Sequence, residues 1–360
     1  MRQIEASAME DVAIGGAVLG TGGGGDPYIG KLMAIEAIKR HQPVELVDVD
    51  ELKDDDLVVT AAMMGAPTVM VEKLPEGQEI VIAFKKLEAF LGKPIRAVLC
   101  AEAGGLNSTT PFIVAAETGL PLVDGDSMGR AFPELQMVTF SLHGISSTPM
   151  VMADDKGNSV VLSTISNSWT ERLARSATID MGGAAMIALY PCDGATAKKA
   201  VIRGTISLIE TIGKAIREAR AANQPPVEAV KAVTGARELF RAKVTDVSRR
   251  TEGGFAKGEA TLSGIDEDSG HSYSLSFQNE FLVAQQDGDM LITVPDLITL
   301  LDVDTGEPIT TESLRFGFRV VALGIPCDPQ WRTPEGLELV GPRYFGYDVD
   351  YIPIEERTLG

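Results

Sequence analysis

The first half of the chain alternates continuous apolar strands with helical stretches, and this alternation restricts the possible folds more than any other feature. Leu57–Ala62 and Ile95–Cys100 are almost entirely apolar, as expected for strands that are covered on both sides, and Val44–Val49 is a further predicted strand. Helical spacing of apolar residues predicts helices over about residues 8–19, 28–40, 80–91 and 111–118. The pattern predicts a three-layer α/β domain with a mostly parallel sheet, which hairpin-like segments after Gln136 would extend with antiparallel strands.

Changes in composition along the chain predict three regions. Residues 1–168 form the α/β domain, residues 169–240 a helical connector packed on it, and residues 241–360 a β-barrel-like domain of short strands between glycine-containing turns. In the connector, a stripe of isoleucines predicts one amphipathic helix, for which Asp193 or Thr196 is the candidate N-cap. The stripe consists of Ile202, Ile206, Ile209, Ile212 and Ile216.

The charge balance argues against several classes of partner. The chain of 360 residues has 51 acidic and 32 basic residues, a formal net charge of −19. Nucleic acids and anionic membranes bind clustered Lys and Arg, so neither is an expected partner. No apolar run approaches the roughly 20 residues of a membrane-spanning helix, and the first residues lack the layout of a signal peptide. We therefore expect a cytoplasmic protein that binds a small-molecule substrate, with homo-oligomer formation left open.

Polar and glycine-containing segments follow three of the apolar strands. Ligands of parallel α/β sheets bind outside the carboxyl ends of the strands, where loops open toward helix N-termini. The segments cover residues 63–67, 102–107 and 124–130, and we expect them to meet at one edge of the sheet. The candidate site residues in them are Gly65, Glu102, Asn107, Asp124, Asp126, Ser127 and Arg130.

The tract Gly20-Thr-Gly-Gly-Gly-Gly25 cannot hold a helix, because helical backbone is entropically costly for consecutive glycines. It matches the G-x-G-x-x-G dinucleotide fingerprint, but that fingerprint follows a strand, whereas a helix is predicted here. A nicotinamide or flavin site with Asp48 or Asp50 at the ribose is therefore one open alternative. A hinge is another, and the third is an anion site built from the backbone amides of Gly22, Gly23, Gly24 and Gly25.

Two further chemistries have partial support. Gly125-Asp-Ser-Met-Gly129 matches the nucleophile elbow Gly-x-Ser-x-Gly. However, Pro133 interrupts the expected helix, and neither His143 nor His271 is placed as the base of Ser127.

The three histidines are far apart and the three cysteines are widely spaced, which argues against a zinc site or a disulfide framework. A divalent metal with oxygen ligands stays open, and its candidate ligands are Glu102, Asp124 and Asp126.

Four segments of the N-terminal half form a distinctive set: LGTGGGGDP at 19–27, MGAP at 64–67, EAGGLN at 102–107 and GLPLVDGDSMGRAFPELQ at 119–136. Together they resemble the S-methyl-thiohydantoin desulfurase-like family, as do Asn279-Glu280 and the stretch from Val294 to Pro308. The resemblance implies an α/β domain followed by a β-barrel-like domain, and association with hydantoinase/oxoprolinase genes. It also implies hydrolytic removal of sulfur from a thiohydantoin-like five-membered ring. It assigns no catalytic residues.

In such a reaction, water attacks the ring carbon that bears sulfur, assisted by a carboxylate base and by donors that stabilise charge on sulfur. Asp124 and Asp126 are the first candidates, as a like-charge pair at one strand end, and Glu102 is the next. Arg130 would bind a substrate carboxylate, and the Gly22–Gly25 amides would receive developing charge. The alternatives to a hydrolase are a non-catalytic accessory subunit or partner of a hydantoinase/oxoprolinase-type enzyme, and a dinucleotide-binding oxidoreductase.

Overall fold

The computed structural model describes residues 1–65, 77–252 and 255–358. Its helices are α1 (Met9–Leu19), α2 (Tyr28–Arg40), α3 (Glu79–Leu91), α4 (Thr110–Thr118), α5 (Thr139–Leu142), α6 (Asn167–Asp180), α7 (Gly194–Ala200), α8 (Thr205–Ala221), α9 (Pro226–Thr234) and α10 (Pro334–Val340). Within the described ranges, no helix is both long enough and apolar enough to cross a membrane.

The strands fall into two groups along the chain. The first group is β1 (Arg2–Ile4), β2 (Val44–Val47), β3 (Leu57–Gly65), β4 (Ile95–Cys100), β5 (Leu122–Val123), β6 (Gly125–Asp126), β7 (Met150–Ala153), β8 (Ser159–Leu162), β9 (Ala184–Asp193) and β10 (Ile202–Arg203). The second group is β11 (Arg237–Glu252), β12 (Phe255–Gly264), β13 (Ser272–Gln278), β14 (Glu280–Gln286), β15 (Asp289–Thr293), β16 (Leu297–Asp302), β17 (Pro308–Ile309) and β18 (Arg319–Ile325).

An eight-stranded mixed sheet forms the centre of the N-terminal half, in the order β1-β2-β5-β4-β3-β9-β7-β8. Its strands β2, β5, β4 and β3 are parallel, and the remaining pairings are antiparallel. Residues 57–64 of β3 are all buried, which explains their continuous apolar sequence. The predicted α/β domain is confirmed. Its sheet is mixed and not mostly parallel as expected, because four of the seven pairings among the described strands are antiparallel. The carboxyl ends of β3 and β4 lie side by side.

Helices α1 and α8 pack with their backbones nearly in contact. A Cβ atom on Gly15 would lie 1.8 Å from the carbonyl oxygen of Ile209, and one on Gly213 would lie 1.9 Å from that of Asp11. Any larger residue would therefore push the helices apart. The Arg217 guanidinium also donates to both carboxylate oxygens of Asp11 at 2.8 Å. This packing fixes the end of α1, from which the glycine tract starts.

The C-terminal half is an antiparallel sheet in the order β15-β14-β13-β12-β11-β18-β16-β17. Its buried face has a hydrophobic core of its own, which includes Phe240, Tyr273, Phe281, Leu300 and Val320. The C-terminal β-rich region expected from the sequence is confirmed. The pairings among the described strands leave β15 and β17 as edges, so the expected barrel closure is not observed.

Three local predictions were wrong. The connector, expected to be helical, contains β9, which inserts between β3 and β7 of the first sheet. Asp193 caps the short helix α7, where its carboxylate accepts from the Thr196 amide at 2.8 Å. The isoleucine stripe lies instead on α8, which begins after Gly204. Ile202 is not part of that helix and lies in β10. The strand expected within residues 136–142 is instead the one-turn helix α5.

Candidate active site

A cavity of about 80 Å³, partly open to solvent, lies where the carboxyl ends of β3 and β4 meet the start of β14. It is lined from the first half of the chain by Gly24 of the glycine tract, by both strand ends and by the segment around residues 128–135. Helix α6 and the C-terminal sheet complete the wall. The polar and glycine residues central to it are Gly24, Gly65, Glu102, Asn107, Arg175 and Glu280.

The cavity is small, but its apolar wall can adjust. A cavity of about 150 Å³ holds benzene, so one of about 80 Å³ must widen to take a complete five-membered ring. Met63, Met64 and Met128 line it. Methionine side chains are unbranched and flexible, and their rotamer changes can create the missing volume.

Glu102 follows β4 and borders the cavity with 6% of its surface exposed. Asn107, in the 3₁₀ turn Gly105–Ser108, donates from Nδ2 to Glu102 Oε1 at 2.6 Å and to the Met63 carbonyl at 3.1 Å. Its Oδ1 accepts from the Met63 amide at 2.7 Å. Asn107 therefore positions Glu102 and has no amide hydrogen left for a ligand. Glu102 Oε2 is buried and has no hydrogen-bond partner among the described residues.

Glu280 is the first residue of β14 and faces the cavity from the opposite half of the chain, with 1% of its surface exposed. The Gly24 amide donates to Glu280 Oε1 at 3.1 Å. The preceding residue, Asn279, has a φ of +59°, a conformation that asparagine tolerates better than most residues. Glu280 Oε2 is buried and, within the described part of the chain, also has no hydrogen-bond partner.

Burial raises the pKa of both glutamates. The pKa of Glu102 is raised to about 8, mainly by desolvation, which the Asn107 hydrogen bond opposes and the charges of Glu280 and Asp126 reinforce. The pKa of Glu280 is raised to about 7 by desolvation, against the opposing charge of Arg130. Because the charge of Glu280 disfavours ionisation of Glu102, the two titrations are coupled. Near neutral pH, Glu102 is therefore the group that more readily keeps its proton, and Glu280 is the more readily ionised.

Arg175 on α6 supplies the positive charge at the cavity. Its Nε donates to Glu171 Oε1 at 2.5 Å, its Nη2 donates to the Pro133 carbonyl at 3.2 Å, and its guanidinium lies 4.4 Å from the centre of the Phe255 ring. These contacts leave Nη1 without a hydrogen bond to the described residues. Asn279 is similar, since its Oδ1 accepts from a backbone amide and its Nδ2 makes no hydrogen bond to the described chain. Both can donate to a ligand.

Replacing Gly23 with alanine is expected to disturb Glu280 directly. The new Cβ would lie 2.2 Å from Glu280 Oε1, so this flexible carboxyl group must move away from the Gly24 amide. We expect reduced turnover, a changed pH dependence and a lower Tm, because the new Cβ would also lie 2.5 and 2.6 Å from the Cδ and Cγ atoms of this buried side chain. Steady-state kinetics and thermal unfolding measure these effects. In a Glu280→Gln background, Gly23→Ala should lower the turnover little further, because the effects of two substitutions that act through the same group are not additive. Fully additive losses would contradict this coupling.

Asp124 and Asp126, the expected acid–base pair, do not line the cavity. Asp126 is completely buried and accepts from the backbone amides of Ala103, Met128 and Gly129 at 2.7 to 3.3 Å. Asp124 accepts from the amide and hydroxyl of Ser207 in the first turn of α8, at 2.9 and 2.5 Å. Both carboxylates hold backbone at helix or turn positions, so the geometry supports Glu102 alone among the three acids predicted from the sequence.

Several predicted binding residues also have structural roles. The Ser127 hydroxyl donates to the Ala101 carbonyl at 2.6 Å. Arg130 is completely buried, and its guanidinium donates to acceptors on Thr21, Ala131, Phe281, Pro295 and Asp296. These contacts join the two halves of the chain and leave Arg130 no route to a substrate carboxylate. Gly22, Gly23 and Gly25 do not line the cavity, and the Gly24 amide is already bound to Glu280.

The open alternatives have little geometric support. The glycine tract joins α1 to α2, so the strand that a dinucleotide fingerprint requires before it is missing. His143 contacts Gln330 and His271 contacts Asp287, so neither can serve Ser127. In the described ranges, no group of three or more His, Cys, Asp or Glu side chains is placed to hold a metal ion. Ala66 and Pro67 of the predicted strand-end segment lie outside the described residues.

Raising the pH from about 5 to about 9 is expected to lower the thermal stability. Glu102, Glu280 and Asp126 have native pKa values of about 8, 7 and 7, respectively, whereas unfolded carboxyl groups titrate near 4. Between these values the native state binds more protons, so the free energy of unfolding falls as the pH rises through the native pKa values. Tm measured at pH 5, 7 and 9 should decrease, and Glu102→Gln should flatten the decrease. A parallel curve for the variant would contradict the raised pKa.

Family models match almost the entire chain. Residues 7–164 match the S-Me-THD-like N-terminal domain, and residues 165–354 match the S-Me-THD-like C-terminal domain. The chain belongs to the S-Me-THD-like family. A crystal structure of a protein from Chromobacterium violaceum is similar to this S-Me-THD-like protein over 98% of this chain and 100% of that chain, with a TM-score of 0.82 and 23% sequence identity. This similarity shows a shared fold. No curated protein sequence matches the chain.

The cavity of this S-Me-THD-like protein combines both family domains. Glu102, Asn107 and Gly24 come from the matched N-terminal domain, and Arg175 and Glu280 come from the matched C-terminal domain. Strand β9 also belongs by sequence to the second domain, yet it completes the first sheet. Residues of both matched domains therefore line one cavity.

Sequence reasoning missed Glu280 and Arg175 as site residues. One sequence feature could have indicated Glu280, because Asn279-Glu280 is among the segments that resemble the family. An asparagine at this position is also typical of a turn. Arg175 had none, since an arginine on an amphipathic helix is usually solvated. Both lie far along the chain from Glu102, and only the tertiary packing of α6 and β14 brings them to the cavity.

Proposed function

We propose that this S-Me-THD-like protein hydrolyses the exocyclic carbon–sulfur bond of a thiohydantoin-like five-membered ring. The observation that carries the proposal is the pair of buried carboxyl groups of Glu102 and Glu280 at the same cavity. Each has one oxygen without a hydrogen-bond partner among the described residues. An acid and a carboxylate in one site of low polarity suit the addition of water to a carbon–nitrogen double bond.

The proposed reaction begins with proton transfer from Glu102 to the ring nitrogen next to the sulfur-bearing carbon, which makes that carbon more electrophilic. Water attacks the carbon and gives one proton to Glu280, and a carbon–oxygen bond forms. The carbon–sulfur bond then breaks, the departing sulfur takes the proton from Glu280, and the added oxygen returns its second proton to Glu102. The products are a hydantoin and a thiol, and both glutamates regain their starting states.

Arg175 and Asn279 are the proposed binding residues for the oxygen side of the ring. Each has a donor with no other hydrogen bond in the described chain, and both border the cavity. A ring carbonyl oxygen held by these donors would keep the sulfur-bearing carbon between the two glutamates. Asn107 and the Gly24 amide act as positioning groups, since each already holds one oxygen of a glutamate.

The proposed roles predict a bell-shaped pH dependence. The rate should rise through a pH of about 7 as Glu280 ionises and fall through a pH of about 8 as Glu102 loses its proton. The maximum is expected between these values, and Glu102→Gln should remove the alkaline limb from any residual activity. The measurement is kcat/KM for thiol release from pH 5 to 10. An alkaline limb that persists in the Glu102→Gln variant would contradict the role of Glu102.

The primary test is an assay of the purified protein with an S-methylated thiohydantoin, in which thiol is measured with a chromogenic disulfide and the ring by mass spectrometry. We expect stoichiometric thiol and hydantoin. A non-catalytic accessory subunit would produce neither, and the ring would not raise its Tm. That result would overturn the proposed function.

A further inference from the structure

Two carboxyl oxygens at the cavity can accept hydrogen bonds from a ligand, and the sulfur of a thioether has no hydrogen to donate to them. Glu102 Oε2 and Glu280 Oε2 belong to opposite halves of the chain, and both are buried at the cavity without hydrogen-bond partners among the described residues. Leaving a buried polar atom unpaired is unfavourable, because its hydration is lost and nothing replaces it. A ligand that presents N–H groups on both sides of one carbon would satisfy both oxygens at once.

The charge of the surroundings favours a ligand that becomes a cation. Among the described residues, Glu102, Glu134 and Glu280 line the cavity together with the cation Arg175, and the buried Arg130 adds a second positive charge near Glu280. Arg175 is itself paired with Glu171. The excess of acidic groups is complementary to a planar cation with several N–H donors, and such a cation would be held more strongly here than in water because the carboxyl groups are desolvated.

We propose that the cavity also hydrolyses a five-membered cyclic guanidine, whose exocyclic nitrogen leaves as ammonia. The proposal rests on the proposed function, because it uses the same glutamates and the same attack of water on the ring carbon between two nitrogens. It extends that function to a second substrate class. The cavity of about 80 Å³ also favours it sterically, since an exocyclic nitrogen is smaller than a methylthio group.

The protons and bonds balance as follows. Glu102 gives its proton to the exocyclic nitrogen and the ring becomes an amidinium-like cation, with N–H groups directed at the carboxylate oxygens. Water attacks the carbon, a carbon–oxygen bond forms, and one proton passes to Glu280. The exocyclic nitrogen takes this proton, the carbon–nitrogen bond breaks and ammonia leaves. The added oxygen gives its remaining proton to Glu102, so the products are a hydantoin and ammonia.

A nitrogen leaving group is a stricter test of the acid than sulfur is, because an amide-like nitrogen leaves only after protonation whereas a thiol can leave with less assistance. Glu102→Gln is therefore expected to reduce ammonia release by about 10²–10⁴-fold, and by a larger factor than it reduces thiol release. Glu312→Gln is the matched control, because Glu312 is also partly buried and lies outside the cavity. This control should release ammonia at the rate of the unmodified protein.

The experiment supplies the purified protein with 2-iminoimidazolidin-4-one, and in parallel with its N-methylated analogue and with an S-methylated thiohydantoin. Ammonia, thiol and hydantoin are measured. We expect ammonia and hydantoin in equal amounts from the first ring, and slower turnover of the N-methylated ring, which has lost one N–H donor.

The outcomes separate the two proposals. Thiol release without ammonia release would overturn the cyclic guanidine proposal and leave the proposed function intact. Ammonia release without thiol release would support the cyclic guanidine proposal and overturn hydrolysis of sulfur as the function. Equal turnover of the two nitrogen rings would overturn recognition through paired N–H groups. Release of neither product would overturn both proposals.

Discussion

Replacing Glu102 or Glu280 with glutamine is expected to lower thiol release by about 10²–10⁴-fold. Glutamine keeps the size of the side chain and can still interact with Asn107 or with the Gly24 amide. Its amide group does not titrate near neutral pH, so glutamine cannot act as a general acid or a general base. Because the two groups act in one catalytic cycle, we expect the double variant to release thiol almost as fast as the less active of the two single variants. The measurement is kcat for thiol release at the optimal pH.

Folding must be separated from catalysis in these variants. Both glutamates are buried carboxyl groups that desolvation drives toward the neutral form, so a neutral glutamine should preserve or raise Tm at alkaline pH. Glu312→Gln serves as the control for a partly buried glutamate outside the cavity. The control should keep its full activity. If Glu102→Gln and Glu280→Gln also kept full activity, the acid–base assignment would be wrong.

Replacing Arg130 with methionine is expected to be the most destabilising single change. The variant would leave the carbonyl groups of Pro295, Asp296, Phe281 and Ala131 without their charged donor in a fully buried position. Buried unsatisfied acceptors cost about 1–3 kcal/mol each. Because the contributions of neighbouring contacts are not additive, we expect a total loss of about 3–5 kcal/mol in the free energy of unfolding.

Thermal and denaturant unfolding measure this loss, with Arg172→Met as the control, because Arg172 is an exposed arginine on α6. Glu280 should also lose the nearby positive charge that opposes the rise of its pKa. Any soluble fraction of the variant should therefore have the acid limb of its pH profile moved to higher pH. A variant with normal Tm and a specific loss of substrate binding would instead support the role in binding a substrate carboxylate that the sequence suggested for Arg130.

The sequence predicted the first sheet well because its signals are local. Continuous apolar stretches predicted β3 and β4 at nearly their observed bounds, and Gly92 and Gly119 follow helices α3 and α4 in left-handed conformation, as glycines at helix ends often do. The rule that ligands bind at the carboxyl ends of parallel strands also located the cavity beside Gly65, Glu102 and Asn107.

The remaining site residues could not be predicted because they depend on tertiary contacts. Asp126 and Glu102 follow neighbouring strands and are both buried acids. Three backbone amides donate to Asp126, whereas one oxygen of Glu102 has no hydrogen-bond partner in the described part of the chain. No sequence pattern distinguishes these cases. Glu280 reaches the cavity only because the glycine tract packs on β14, where the Phe281 amide donates to the Thr21 carbonyl at 2.8 Å.

Hydrolysis in water enriched with ¹⁸O tests the central claim most directly. The protein is incubated with the S-methylated thiohydantoin, and the ring product is analysed by mass spectrometry. Attack of water on the ring carbon predicts a hydantoin that contains one ¹⁸O atom and one released methanethiol per ring. Recovery of an unchanged ring, or of a thiohydantoin that has lost only its methyl group, would contradict hydrolysis between Glu102 and Glu280.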